Sequence, residues 1–144
     1  MSNVRIIAAL DLHPRDWDSC VVREAIMLAQ SHDAGVELVF VIPDQQNTYV
    51  QAYIPDDMRD QVETDARKDL ADYAAGFDWK SVPCTTEVQR GVVYEKLIEH
   101  ADKLSARFIV IGANRPSVKD LFIGPNAARV SRFASCCVLV VRPE

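Results

Sequence analysis

Apolar residues recur along this chain in two alternating rhythms. Val4 to Leu10 (VRIIAAL) is apolar but for Arg5, and Val36 to Ile42 (VELVFVI) forms a second such run. Phe108 to Ile111 and Cys136 to Val141 (CCVLVV) are apolar throughout. The Val4 to Leu10 run suits a strand buried on both faces of a parallel sheet, and the other three runs read as further strands. Val82 to Gln89 alternates more loosely, and Pro83 at its start predicts a third strand nearer an edge. Between these runs the period lengthens to that of a helix. From Ser19 to Gln30 the inward positions are Val22, Ala25, Ile26 and Ala29. A longer helix carries Met58, Val62, Ala66, Leu70, Tyr73 and Phe77 along one side, and another carries Tyr94, Leu97, Ile98, Ala101 and Leu104. Pro125 suits the first position of a last helix running to about Ala134. Residues 43–55 hold Pro43, Asn47 and Pro55 with little periodicity and read as a loop.

Strands alternating with helices predict an α/β fold. The expected architecture is one open five-stranded parallel sheet, with right-handed crossovers and helices on both faces. No repeat, low-complexity tract or linker interrupts the 144 residues, so residues 1–144 read as a single domain. A composition of 49% hydrophobic and 26% charged residues predicts an ordered chain. No apolar run approaches the roughly 20 residues that span a bilayer. Met1-Ser2-Asn3-Val4-Arg5 leads straight into the first strand without a signal-peptide pattern, which predicts a cytoplasmic protein with no membrane partner.

Charge and sulfur narrow the chemistry further. Net charge is −5, which makes the chain a poor general nucleic-acid binder. From Arg107 to Arg142, however, six basic residues face one acid, Asp120, so this segment suits a small polyanion. Cys20, Cys84, Cys136 and Cys137 lack C-x-x-C spacing and read as small apolar fillers in a reducing compartment. His13, His32 and His100 show no ligand spacing, so no protein-only metal site is expected.

The most informative stretch is Ile109-Val110-Ile111-Gly112-Ala113-Asn114-Arg115-Pro116, followed by Gly124-Pro125-Asn126-Ala127-Ala128. It reads as a buried strand ending in glycine, a short loop with an arginine, and a second glycine opening a helix. A glycine at a strand end admits close approach of a ligand to the backbone. The helix start beyond Gly124 offers unpaired N–H groups and the positive end of a dipole, which suit a phosphate. The same residues also suit a tight turn and a well-made helix start. Asp11, Val41, Gly91 and Gly112 fall at or just after strand carboxyl ends, where open α/β sheets place ligands.

These residues resemble the universal stress protein family over Val4 to Arg142. Ala9-Leu10-Asp11, Phe40-Val41-Ile42-Pro43 and Arg90-Gly91 with Leu97 and Ala101 resemble the family's strand endings and turns. The tail VIGANRPSVKDLFIGPNAARVSRFASCCVLVVRP carries the strongest match. Nucleotide-binding members show Gly-x-x-Gly, nine residues, then Gly-Ser or Gly-Thr. Here the second glycine is absent, Arg115-Pro116 follows Asn114 directly, and Pro125 replaces the Ser or Thr. This form resembles a bacterial subgroup that binds nucleotides through a shortened loop.

The resemblance implies an adenine nucleotide alpha hydrolase-like, Rossmann-like fold that binds ATP with Mg²⁺. It places the ligand on Ala9, Asp11, Val41, Gly91, Ile111, Gly112, Arg115, Gly124, Pro125 and Asn126. Proline at 125 supplies neither a hydroxyl nor an N–H. The remaining phosphate donors are the N–H groups of Asn126 and Ala127, the Asn126 amide and the planar fork of Arg115. Asp11 would accept from the base or ribose, although it equally suits a turn ahead of Pro14. Lys119 and Asp120 sit in the phosphate-side loop, while Trp17, Tyr49 and Tyr53, read as loop residues, could cover a base or pack under a loop.

The resulting expectation is a cytoplasmic, nucleotide-dependent stress-response regulator. It would be a homodimer through the Cys136 to Val141 strand, whose exposed edge needs covering. Two other functions compete. The substitutions at the second glycine and at 125 favour a dimeric interaction module without nucleotide. An ATPase or transferase ranks last: the chain has no G-x-x-x-x-G-K-[ST] and no evident general base beside the glycines.

Overall fold

The computed structural model describes residues 3–12, 15–44, 53–113 and 123–142. Five strands appear among them: β1 (Arg5–Leu10), β2 (Gly35–Pro43), β3 (Cys84–Gly91), β4 (Phe108–Gly112) and β5 (Cys137–Val141). Four helices join them: α1 (Arg15–His32), α2 (Asp56–Ala75), α3 (Val93–Leu104) and α4 (Pro125–Phe133). The strands form one sheet in the order β3-β2-β1-β4-β5, with every neighbouring pair parallel. The open parallel sheet expected from the alternating rhythms is therefore the fold.

Strand side chains alternate between faces, and each face has its own helices to bury against. Ile6, Ala8, Val36, Leu38 and Val110 meet Val22, Ala25 and Leu70 of α1 and α2. Ile7, Val39, Val41, Ile109 and Ile111 meet Leu97, Ala101, Ala127 and Val130 of α3 and α4. Ile6, Ile7 and Ala8 of the central strand are wholly buried, which is why that run carries so few polar residues. β3 lies at one edge, as Pro83 suggested, and β5 lies at the other.

Local chemistry sets the ends of several elements. α2 opens with Asp56 and Asp57, whose charge suits the helix dipole, and the indole N–H of Trp79 donates to the Ala74 carbonyl at its end (2.8 Å). α3 stops where Ser105 turns left-handed (φ 50°) and the Ala106 N–H reaches back to the Ala101 carbonyl at 2.8 Å. β3 begins and ends two residues later than its apolar pattern suggested. Pro83 cannot donate, but its carbonyl accepts from the Val36 N–H at 2.8 Å and guides the strand into register.

Three expectations need correction. α1 begins at Arg15 rather than near Ser19, so Trp17 stands on a helix and not in a loop. Met58 and Val62 are exposed although they continue the apolar line of α2; only Ala66, Leu70 and Ala74 of that helix are buried. The first turns of α2 line a cleft beside Ile42 and Pro43 instead of packing on the sheet. Cys137 is exposed and is no core filler, while the other three cysteines are partly buried.

Candidate functional site

The strand order reverses at β1. The chain builds outward through β2 and β3, then returns to the far side of β1 to place β4 and β5. Connections leaving the carboxyl ends of β1 and β4 therefore diverge and open a crevice between them, the usual ligand position in such sheets. The cavity found there holds about 190 Å³.

Seven of the ten predicted binding residues line it. Ala9 and Asp11 come from the end of β1, Ile111 and Gly112 from the end of β4, and Gly124, Pro125 and Asn126 from the start of α4. Val41 and Gly91 do not. Val41 is buried on the sheet face under α3, and Gly91 ends the edge strand opposite Pro43. Arg115 lies outside the described residues, as do His13, Tyr49, Lys119 and Asp120.

The start of α4 has the features of an anion-facing helix end. Gly124 takes φ 96°, a conformation that favours glycine, and its carbonyl accepts the Ala128 N–H at 2.9 Å. Among the described residues no side chain caps this terminus, and Pro125 occupies the first helical turn as the sequence suggested. Asn126 and Ala127 line the cavity, so their N–H groups lie at the positive end of the helix dipole beside it.

Asp18 is the charged residue lining this cavity that the sequence did not point to. It is 2% exposed, and its two carboxylate oxygens accept the backbone N–H groups of Asp11 (3.0 Å) and Leu12 (2.7 Å). Leu12 is left-handed at φ 61°, a conformation costly for a leucine, and the carboxylate holds it there. The acid in the first turn of α1 thus fixes the loop that presents Asp11. An acidic residue at a helix start is a legible signal, but only once the helix is placed early enough to include it.

Asp11 itself is exposed at the rim, yet the protein around its carboxyl dries it enough to raise its pKa above the ordinary aspartate value. Burial penalises the charged form in the folded chain alone, so the folded chain holds this proton to higher pH than the unfolded chain. Stability associated with Asp11 is thus greatest at low pH and falls as pH rises toward and through the raised folded value. Asp11→Asn removes this titration. Its melting temperature relative to the parent rises from the ordinary aspartate range to neutrality; a difference that stays flat with pH would refute the assignment.

A second cleft, of about 280 Å³, lies between α2 and the ends of β2 and β3, lined by Ile42, Ile54, Met58, Val62 and Arg90. It is larger but sits away from the switch point, and the Arg90 guanidinium donates to the Arg59 carbonyl at 3.0 Å. The smaller cavity carries the converging donors and acceptors. Among the described residues, no helix is long and apolar enough to cross a membrane.

Comparison with known proteins shows the family and the fold. The chain is 30% identical over 139 residues to universal stress protein G of Shigella flexneri, covering 95% of this chain and 97% of that protein. Its fold superposes on the structure of the hypothetical protein MJ0577 with a TM-score of 0.81 at 14% identity, covering 100% of this chain and 99% of that one. A universal stress protein solved in complex with cAMP superposes with a TM-score of 0.63 at 17% identity, covering 98% of each chain. The model of the universal stress protein family matches residues 4–142, and the chain belongs to that family.

Proposed function

We propose that this protein binds an adenine nucleotide, ATP with Mg²⁺, in the switch-point cavity and acts as a nucleotide-dependent regulator in the stress response. The observation that carries this reading is the convergence of Asp11, the Gly112 strand end and the uncapped start of α4 on one cavity. The donor set fits the ligand: backbone N–H groups at a helix start suit phosphate oxygens. A carboxylate at the opposite rim suits the hydroxyls or amine of a nucleoside. A fold neighbour holding cAMP supports the same class of ligand. Mg²⁺ bound to a nucleotide keeps several waters, so it requires no dedicated protein cage. The residues at the cavity suit binding rather than turnover, because Asp18 is engaged by backbone and Asp11 stands at the rim. The regulator is a cytoplasmic homodimer in this reading. Among the described residues β5 pairs only with β4, and pairing its open edge with a second copy would cover it.

A thermal-shift titration with Mg-ATP, with AMP and GTP as controls, tests the reading. Ligand at about a hundredfold above Kd stabilises by roughly 2.7 kcal/mol, on the order of 5–10 °C at this size. Such a shift, larger for ATP than GTP and lost in Arg115→Ala, is expected. One observation favours a second reading. Pro125 removes an N–H from the helix end that faces the cavity, which suits a dimeric interaction module without nucleotide. A folded, dimeric chain that shows no shift at millimolar ATP would decide for the module.

A further inference from the structure

The empty side of Gly112 is already filled, and by this chain. A Cβ built on Gly112 would stand 2.9 Å from Trp17 Cδ1, closer than real Cβ contacts allow, and 3.0 Å from its Nε1, which is already tight. The Trp17 indole N–H donates to the carbonyl of Ala113, the next residue, which is 2% exposed. The glycine that ends β4 therefore serves the approach of an indole from α1. That indole is also part of the cavity wall.

Size and chemistry give this arrangement a consequence. Small-molecule sites usually hold roughly 300–1,000 Å³, and this cavity, with the indole seated, holds about 190 Å³. Trp17 is partly exposed and stands in the first turn of α1, so it has solvent to move into. A group that takes its place must donate to the Ala113 carbonyl, or that buried oxygen is left without its indole partner. An ionised phosphate only accepts, whereas a sugar hydroxyl donates.

We propose that Trp17 is a gate on the cavity. Seated on Gly112 and Ala113 it keeps the site contracted; a nucleotide enters by displacing the indole, and a sugar hydroxyl takes over the Ala113 carbonyl. This rests on the nucleotide reading above. Because only the displaced form binds, the apparent affinity is reduced by the fraction of time the indole is away.

The sign of the mutational effect separates a gate from the other roles an aromatic wall can play. Mg-ATP is titrated calorimetrically into the parent, Trp17→Phe and Trp17→Ala chains, with urea midpoints to confirm folding. Trp17→Phe keeps a ring and loses the N–H, so it serves even if the alanine variant folds poorly. A gate predicts binding tighter by about fivefold in Trp17→Phe, the factor carried by one neutral hydrogen bond, and tighter still in Trp17→Ala. In a Trp79→Phe background Trp17 is the sole tryptophan, since the chain has two. Its emission then moves toward that of hydrated indole as Mg-ATP is added. Weaker binding by Trp17→Ala with Trp17→Phe unchanged overturns the gate in favour of a stacking platform. Unchanged affinity in both variants overturns it in favour of a fixed wall. If neither the parent nor a folded variant binds at millimolar Mg-ATP, the nucleotide reading itself fails and the gate with it. Binding by a folded variant with none detected in the parent leaves the nucleotide reading standing and supports the gate.

Discussion

Asp18→Ala destabilises the protein by about 2–4 kcal/mol and, on the proposed function, weakens nucleotide binding at the same time. The carboxylate is buried and accepts two backbone N–H groups, from Asp11 and Leu12. Hydrogen bonds to a charged group contribute roughly 1.5–3 kcal/mol each. The variant no longer buries a charge, which offsets part of that loss. Without the carboxylate, Leu12 also loses what holds it at φ 61°, and the loop relaxes toward ordinary backbone. Asp11 then leaves the cavity rim. Asp18→Asn keeps one acceptor and falls between the parent and the alanine variant. Urea unfolding at neutral pH measures the effect. An alanine variant with the parent's midpoint would mean that the loop is held by other contacts.

His100→Leu costs about 3 kcal/mol, while Glu37→Leu combined with His100→Leu is within about 1 kcal/mol of the parent. His100 is buried on α3, and its Nε2 meets the Glu37 carboxylate of β2. Gln89 of β3 approaches Nδ1 at 3.0 Å, so with the amide donating there the ring proton sits on Nε2 and is given to Glu37. Thr85 donates to the other Glu37 oxygen at 3.2 Å. Removing one partner of a buried pair strands the other and costs roughly 3–5 kcal/mol. The surviving Thr85 contact places this case at the low end. Replacing both partners with apolar groups removes the stranded charge and is often neutral. Thr85 and Gln89 are not fully buried, so water can satisfy them in the double variant. A double variant as unstable as the sum of its singles would contradict the pairing.

The sheet was legible because a strand covered on both faces has little choice of side chain. Val4 to Leu10 reads as a strand buried on both faces, and its β1 lies between β2 and β4 in the sheet. Pro125 and Gly124 marked the start of α4 because few other residues suit φ 96° followed by a missing donor. What escaped the sequence was chemistry that depends on partners far along the chain. The first turn of α1 is polar apart from Trp17, so a search for apolar spacing starts that helix too late and hides Asp18. Glu37 sits within an apolar run, and only the sheet register places it where His100, 63 residues away, can reach it. Met58 and Val62 continue a helical stripe that the sheet ends too soon to cover. Gly112 was legible as a point of close approach, but not as the seat of an indole 95 positions earlier in the chain.

The order of construction at the site explains how its parts depend on one another. Strand alternation fixes Ala9, Ile111 and Gly112 at the carboxyl ends of two adjacent strands. Asp18 sets the loop that carries Asp11, and Gly124 sets the entry to α4. Trp17 then walls the resulting space from α1.

Amide chemical shifts recorded while Mg-ATP is added to the isotopically labelled protein locate the ligand as well as detect it. With a nucleotide seated at the switch point, the amides of Asp11, Leu12, Gly112, Ala113, Asn126 and Ala127 move together and saturate. Those of Gly76, Trp79 and the Met58–Val62 turns of α2 stay in place. No movement at millimolar Mg-ATP, or a moving set centred on Met58, Val62 and Arg90, would contradict a nucleotide site at the switch point.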